Sequence, residues 1–258
     1  MKRVFLLSLF VLGAPLLANK VKPADVVQRA RATVGSEERL KDLVTIKITG
    51  KILPTKEGTP EAIVHMIARK PSSQRLEVRV GEVVETTILN GKEACMIRSN
   101  LSDEKSHRMR KLSEAERKRI SMSTRQMFSY FRPHYRGGET LTYAGIEQRR
   151  GVRSHKLVYA YSDGGPSTTR FFAVNDDTLV SVITDQGVES VEIGAQVVQG
   201  IKFPKKIEYY QGGNKLHSLV IEKIKVNKPL SEDAFEIPKA QRKKPAKQVG
   251  QGTSENLP

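Results

Sequence analysis

From residue 43 onward, apolar and polar positions alternate in short runs. In "LVTIKITGKIL", Val44, Ile46, Ile48 and Ile52 fall on one side and Lys47, Thr49 and Lys51 on the other. That is the two-residue period of a half-buried strand. The runs "EAIVHMIARK", "QRLEVRV", "EVVETTILN" and "KEACMIRS" follow, with Asn90-Gly91 as a hairpin turn. A second series comprises "LTYAGIEQRR", "VRSHKLVYAYS", "TTRFFAVN", "DTLVSVITD", "QVVQGIKFPKKIEYYQ" and "KLHSLVIEKIKVN". Gly151, "SDGG", "NDD" and Gly212-Gly213 mark the turns between them. Some ten or eleven strands at this spacing predict a continuous antiparallel sheet, curled into a barrel or half-barrel. Pro204, which cannot donate to a ladder, is expected at an edge or a bulge.

Two stretches break the period. In "KPADVVQRARATVGSEERLKDL", Val26, Val27, Ala30 and Val34 share one helical face, Pro23 suits the first turn and Gly35 the end. A short continuation, residues 36–43, leads into the sheet. The second stretch is "SEAERKRISMSTRQMFSYFRP", residues 113–133. Ser113 and Glu116 form a capping box and Arg132-Pro133 closes the far end. Ile120, Met127, Tyr130 and Phe131 fall on one side of this helix, and Glu114, Arg117, Lys118, Ser121 and Arg125 on the other. Phe128 lies near the edge of the polar side, where exposure is expected.

A curled sheet has an apolar concave face that must be covered or remain an exposed patch. The N-terminal helix can cover part of it and the central helix the rest. The central helix is either a static plug or a lid over a ligand cavity. Methionine and aromatic side chains adapt to varied apolar guests, which suits a lid. Its inner stripe would be Ile120, Met127, Tyr130 and Phe131. The cavity would be lined by Ile46, Ile48, Val64, Met66, Leu76, Val78 and Phe171, with the inward parity of each strand left open.

The N-terminus begins "MKRVFLLSLFVLGAPLLANK": two cations, an apolar run from Val4 to Leu12, then small Ala18. This is the order of a secretory signal, and the run is shorter than the ~20 residues of a membrane span. The mature chain is expected to be soluble and exported. The formal net charge is +16, and loss of Lys2 and Arg3 leaves +14. For an exported chain this favours anionic lipid headgroups or envelope polymers over nucleic acid, for which no aromatic signature is present. A lone cysteine, Cys95, excludes an internal disulfide and reads as a buried thiol. The tail, residues 239–258, is polar, basic and aperiodic and reads as disordered, a solubilising tail or a weak membrane-surface tether.

Catalytic chemistry has no motif to rest on. His65, His107, His134, His155 and His217 show no metal-binding spacing, and neither a nucleophile elbow nor a phosphate-binding glycine loop occurs. The expectation is a non-enzymatic protein without cofactor or metal.

Three stretches carry a resemblance. "VGSEERLKDLVTIKITGKI", "YAGIEQRRGVRSHKLVYAY…TTRFFAVNDDTLVSV" and "GIKFPKKIEYYQGGNKLHSLVIEKIKVNKPLSEDAFEIP" resemble, in this order, the opening, middle and end of LolA-like outer-membrane lipoprotein-sorting proteins. The last contains Asn227, Leu230, Phe235, Glu236, Ile237 and Pro238 as its closing steps. The resemblance covers roughly residues 25–238. It implies a mainly β domain over residues 19–238: a half-barrel of about eleven strands closed by an N-terminal helix and a central lid helix. It further implies a periplasmic, monomeric carrier of lipoprotein acyl chains or lipid, working with envelope transport proteins. The same fold also implies an alternative, a periplasmic sensor or regulatory module that binds a protein partner. The family's arginine latch on an early strand has no counterpart here, since the first strand offers only Lys47 and Lys51.

The signal reading has a direct check. N-terminal sequencing of the exported protein should begin at or near Asn19, and a membrane-bound product retaining Val4 to Leu12 would contradict it.

Overall fold

Two β meanders join into one sheet. The computed structural model describes residues 21–162 and 165–238, so the export signal and the basic tail expected from the sequence lie outside the described residues. Helix α1 (Pro23–Val34) and the short α2 (Glu37–Asp42) lead into β1 (Thr45–Pro54), β2 (Ala62–Arg69), β3 (Ser73–Val80), β4 (Val83–Asn90), β5 (Glu93–Asn100) and β6 (Asp103–Lys111). Helix α3 (Glu114–Ser129) separates these from β7 (Glu139–Arg149), β8 (Val152–Tyr161), β9 (Thr168–Ala173), β10 (Leu179–Thr184), β11 (Val188–Val198), β12 (Ile201–Gln211) and β13 (Asn214–Val226). The spatial order is β6-β5-β4-β3-β2-β1-β13-β12-β11-β10-β9-β8-β7. Every neighbouring pair is antiparallel.

The first and last strands thus pair at the centre, and the two free edges, β6 and β7, fall in mid-chain on either side of α3. The sheet is the expected open half-barrel with helices, with thirteen strands among the described residues rather than about eleven. The additional strands are β6 and most of β11. β6 carries polar or charged residues in nearly every position, as suits an edge that must not pair further.

The centre is fixed by backbone contacts. Asn227, in the left-handed region at φ 52°, accepts from the Val44 amide at 2.8 Å and donates to the Asp42 carbonyl at 3.1 Å. It therefore pins the turn out of α2 to the end of β13. At the β1–β13 bulge beside Gly50, a Cβ would stand 2.2 Å from the Val220 carbonyl oxygen, so no other residue fits without moving the ladder. Pro204 sits where β12 pairs with β11 only, and its missing N–H costs no ladder bond.

Directly opposed residues of antiparallel strands share a face. The face that packs on the helices holds Leu40, Leu43, Ile46, Ala68, Ile201, Phe203, Ile221 and Ile224 around Phe128 of α3. Beside it, Val26, Val27 and Ala30 of α1 pack on Leu157, Tyr159 and Phe172. The other face has a smaller core of Ile88, Cys95 and Ile97, joined by Ile237. Here a 3-10 turn, Glu232–Phe235, lies against β3 and β4. Phe235 is fully buried, with the Arg69 guanidinium 4.9 Å from its ring centre. Cys95 is buried too, and burial pushes its thiol pKa up, so it packs as an inert hydrophobe.

Phe235→Ala removes a fully enclosed ring and should lower stability by about 3–5 kcal/mol. A denaturant titration followed by far-UV circular dichroism reads it. A loss below ~1 kcal/mol would mean that the closing segment is only loosely attached.

Candidate functional site: the covered concave face

The register settles the parity of the early strands. Ile46 opposes Ala68, Ile48 opposes Met66, Met66 opposes Leu76, and Val64 opposes Val78. Ile46, Ile48, Val64, Met66, Leu76 and Val78 therefore share one face, and Gln74 of that face receives a hydrogen bond from Thr124 of α3 at 2.9 Å. It is the concave, helix-covered face. Phe171 is the exception and a correction to the sequence reading. β9 pairs Phe172 with His155 and Phe171 with Lys156, which sends Phe172 to the concave core and Phe171 to the opposite face. There Phe171 lies beneath the Arg149 guanidinium and the Lys156 ammonium. Two adjacent phenylalanines cannot both face inward on a strand.

Helix α3 lies across this face. Ile120 packs against Leu89, Ala94 and Leu112, while Met127 and Tyr130 join the central cluster and Phe131 joins the cluster under α1. Phe128, expected at an exposed edge, is instead 5% exposed and central to the core, with the Lys70 ammonium 5.9 Å from its ring centre. Ser121, expected on the polar side, is buried as well. The apolar side is thus rotated toward Thr124 and Phe128. The wheel placed Phe128 near the polar edge and Ser121 on the polar side, yet Thr124 between them folds its hydroxyl onto the Ile120 carbonyl and Gln74 and packs inward.

The two ends of α3 are held by polar contacts. At its start, the Ser113–Glu116 capping box is present, and Arg110 pairs with Glu116 at 2.8 Å. Arg119 reaches Asp185 in the β10–β11 turn at 3.0 Å. At its end, Tyr130 and Phe131 both have positive φ, 43° and 72°. Consecutive bulky residues in that region are strained and persist only where surroundings hold them. Three carbonyls are gripped here. Arg31 of α1 donates to Ser129 O and, at 2.8 Å, to Tyr130 O, and the Tyr159 hydroxyl donates to Phe131 O at 2.8 Å. The reversal splits the aromatic pair. Tyr130 meets Phe203 edge-on at 6.5 Å, and Phe131 meets Phe172 at 5.0 Å.

Arg31 is itself 4% exposed and pairs bidentately with Glu37, which also binds Arg132 at 3.0 Å. The hydrogen bond from Arg31, then the charges of Arg31 and Arg132, hold the Glu37 carboxyl below its usual pKa. Arg31 was not singled out from the sequence. Its signal was a cation between Val27 and Val34 on the apolar face of α1.

The concave face is not uniformly apolar. On the β8–β12 half it presents Thr168, Arg170, Ser190, Glu192 and Tyr209. Glu192 opens onto a cavity of about 240 Å³ bordered by Val34, Phe131, Leu179 and Phe203. The residue remains exposed through that opening, while the protein crowded around its carboxyl raises its pKa, with Arg170 opposing. The buried Tyr130 hydroxyl finds no hydrogen-bond partner among the described residues, and burial together with the Glu192 charge pushes its pKa up. Tyr209 stacks on His217 at 4.7 Å.

Comparison with known proteins bears on this arrangement. No family model matches the sequence. No curated protein matches it. Solved structures do share the fold. A DUF1329 family protein from Desulfovibrio piger superposes with a TM-score of 0.56 at 8% identity, over 83% of this chain and 96% of that one. A domain described as an outer-membrane lipoprotein-sorting protein from Vibrio parahaemolyticus gives 0.54 at 8% identity, over 83% and 97%. A LolA superfamily protein from Nitrosomonas europaea gives 0.54 at 9% identity, over 83% and 97%. The chain therefore has the LolA-like fold over nearly the whole length of these proteins.

The end clamp yields a prediction. Arg31→Gln removes charge-assisted bonds worth ~1.5–3 kcal/mol each, so amide exchange in α3 should accelerate ~10–100-fold while β1 and β13 stay protected. A group with a lowered folded-state pKa stabilises above its unfolded pKa, and the benefit fades as pH falls through the folded value. The clamp of the unmutated protein should therefore loosen on acidification below the ordinary glutamate range, and the variant should lose that dependence. Unchanged exchange in α3 would show that the helix is held by its apolar face alone.

Proposed function

We propose that the protein is an exported, non-enzymatic carrier that shelters acyl chains of lipoproteins or lipids against the concave face, with α3 as a movable cover. One observation carries the reading. The helix that joins the two free edges of the sheet lies on its largest apolar surface, strained at one end and fastened at both ends by polar contacts. Each methylene withdrawn from water gains ~0.8 kcal/mol, so a twelve-carbon chain gains roughly 10 kcal/mol on entering such a site. A few hydrogen bonds and ion pairs are the right scale of restraint for a cover that must lift for such a guest. Met127, Tyr130 and Phe131 then exchange contacts with the sheet for contacts with the chain. The fold shared with the lipoprotein-sorting domain supports the same reading, as do the signal-like N-terminus and the basic charge, which suit work in a periplasm beside anionic membranes. In this reading the protein acts as a monomer and needs no cofactor.

A fluorescent acyl probe tests it. The unmutated protein should bind the probe, and Met66→Arg, which sets a charge on the concave face, should weaken binding at least ~10-fold. Phe131→Ala and Met127→Ala should lose capture while costing less than the ~3–5 kcal/mol of a closed-core phenylalanine. Native mass spectrometry of protein from its own envelope should show bound lipid. No probe binding by the unmutated protein, together with a stoichiometric protein partner, would replace the carrier with a sensor module.

A further inference from the structure

A second concavity lies on the side of α3 turned away from the Ile120–Met127 stripe. Its volume is about 290 Å³, near the small end of the ~300–1,000 Å³ range of small-molecule pockets. Carbon dominates its walls, which include Pro71, Met122, Pro133 and the Tyr161 ring. Its polar rim is cationic, with Lys70, Arg125 and Arg132.

The charges around it are unevenly matched. Arg132 shares the single carboxylate of Glu37 with Arg31. Glu139, on the pocket wall, is buried and accepts from the His134 amide at 2.6 Å. Arg125 spends its Nε on the Ser121 carbonyl, and Lys70 donates to the Lys41 carbonyl at 2.7 Å. Among the described residues, neither Lys70 nor Arg125 has a carboxylate within ion-pair distance. Asp42 acts on Lys70 only at longer range. Partial burial, helped by the charge of Arg31, pushes the Lys70 ammonium below its ordinary pKa. An ammonium held without a counterion in a partly dry setting gains from an incoming anion. A carbon-lined floor beneath it gains from an apolar tail.

We infer that this pocket binds the anionic headgroup of an amphiphile, a phosphate or carboxylate joined to an aliphatic chain, with Lys70 and Arg125 taking the charge and Met122 and Pro133 the first methylenes. This rests on the carrier reading and narrows it, because it selects acidic lipids over neutral ones. Arg125 presents a planar fork that can bind an oxyanion through two N–H groups, and Lys70 adds a point charge.

Calorimetry with monomeric dodecyl phosphate, dodecanol and inorganic phosphate, on the full chain, tests it. The unmutated protein should bind dodecyl phosphate at least ~10-fold more tightly than dodecanol, and inorganic phosphate far more weakly than either. Arg125→Gln should cut the preference to ~3-fold or less without changing dodecanol binding, and Lys70→Gln should act in the same direction. Arg125 is chosen as the primary variant because Lys70 also covers the Phe128 ring, and the melting temperature of each variant checks folding. Equal binding of dodecyl phosphate and dodecanol would overturn the headgroup site and leave the carrier intact. Inorganic phosphate binding as tightly as dodecyl phosphate would overturn the amphiphile. Binding of none of the three would overturn the site and the carrier together.

Discussion

A curled sheet that does not close has a concave face it cannot cover by itself. Everything else in this molecule answers that constraint. β6 and β7 remain unpaired with one another, and the inner surface between them is largely aliphatic on the β1–β5 side. Leaving it bare would expose an apolar area well beyond what soluble proteins tolerate. The chain order makes covering cheap. Because β1 pairs with β13, both free edges occur at the middle of the sequence, and the segment that must travel from one to the other passes over the hollow. α3 is that segment. Its position follows from connectivity, whereas its adhesion follows from Ile120, Thr124, Met127 and Phe128.

Connectivity also explains why the strain is concentrated where it is. A helix that runs across a sheet must reverse before it can enter the edge strand. The reversal falls on Tyr130 and Phe131, residues that resist positive φ because of their Cβ atoms. A glycine there would be easier on the backbone and useless for packing. The two aromatics instead anchor in separate clusters, one on Phe203 and the other on Phe172, and their carbonyls are taken by Arg31 and Tyr159. Contacts from α1 and β8 therefore hold the end of α3. Arg31 thereby ties α1 to the C-terminal end of α3.

The parts legible in the sequence were those written in strict alternation. β1 to β3 show their faces plainly, and the six aliphatic residues expected to line the hollow do lie on its side. β9 reads "TTRFFA", with apolar residues in adjacent positions, and only the pairing with β8 decides that Phe172 enters and Phe171 leaves. β6 was invisible because an edge strand defended by charge has no apolar face to announce it. Arg170 and Glu192 were missed for the converse reason. Each is a polar residue in an alternating strand, and such positions read as solvent-facing until the register shows otherwise. The buried face of α3 was displaced because a threonine that satisfies its own hydroxyl on the helix counts as apolar in packing and polar in composition.

The missed residues change the chemistry of the hollow. One half, built by β1–β5, is largely aliphatic, with Gln74 taken up by Thr124 of α3. The other half, built by β8–β12, places Arg170, Glu192 and Tyr209 beside Tyr130 of the α3 end, with the Tyr130 hydroxyl unpartnered among the described residues and the Glu192 pKa raised. A hydrogen-bond acceptor placed beside the buried Tyr130 hydroxyl would recover the ~1–3 kcal/mol that an unsatisfied buried polar group costs. The two halves of the hollow therefore differ in chemistry: one offers hydrogen-bonding groups and the other mainly aliphatic surface.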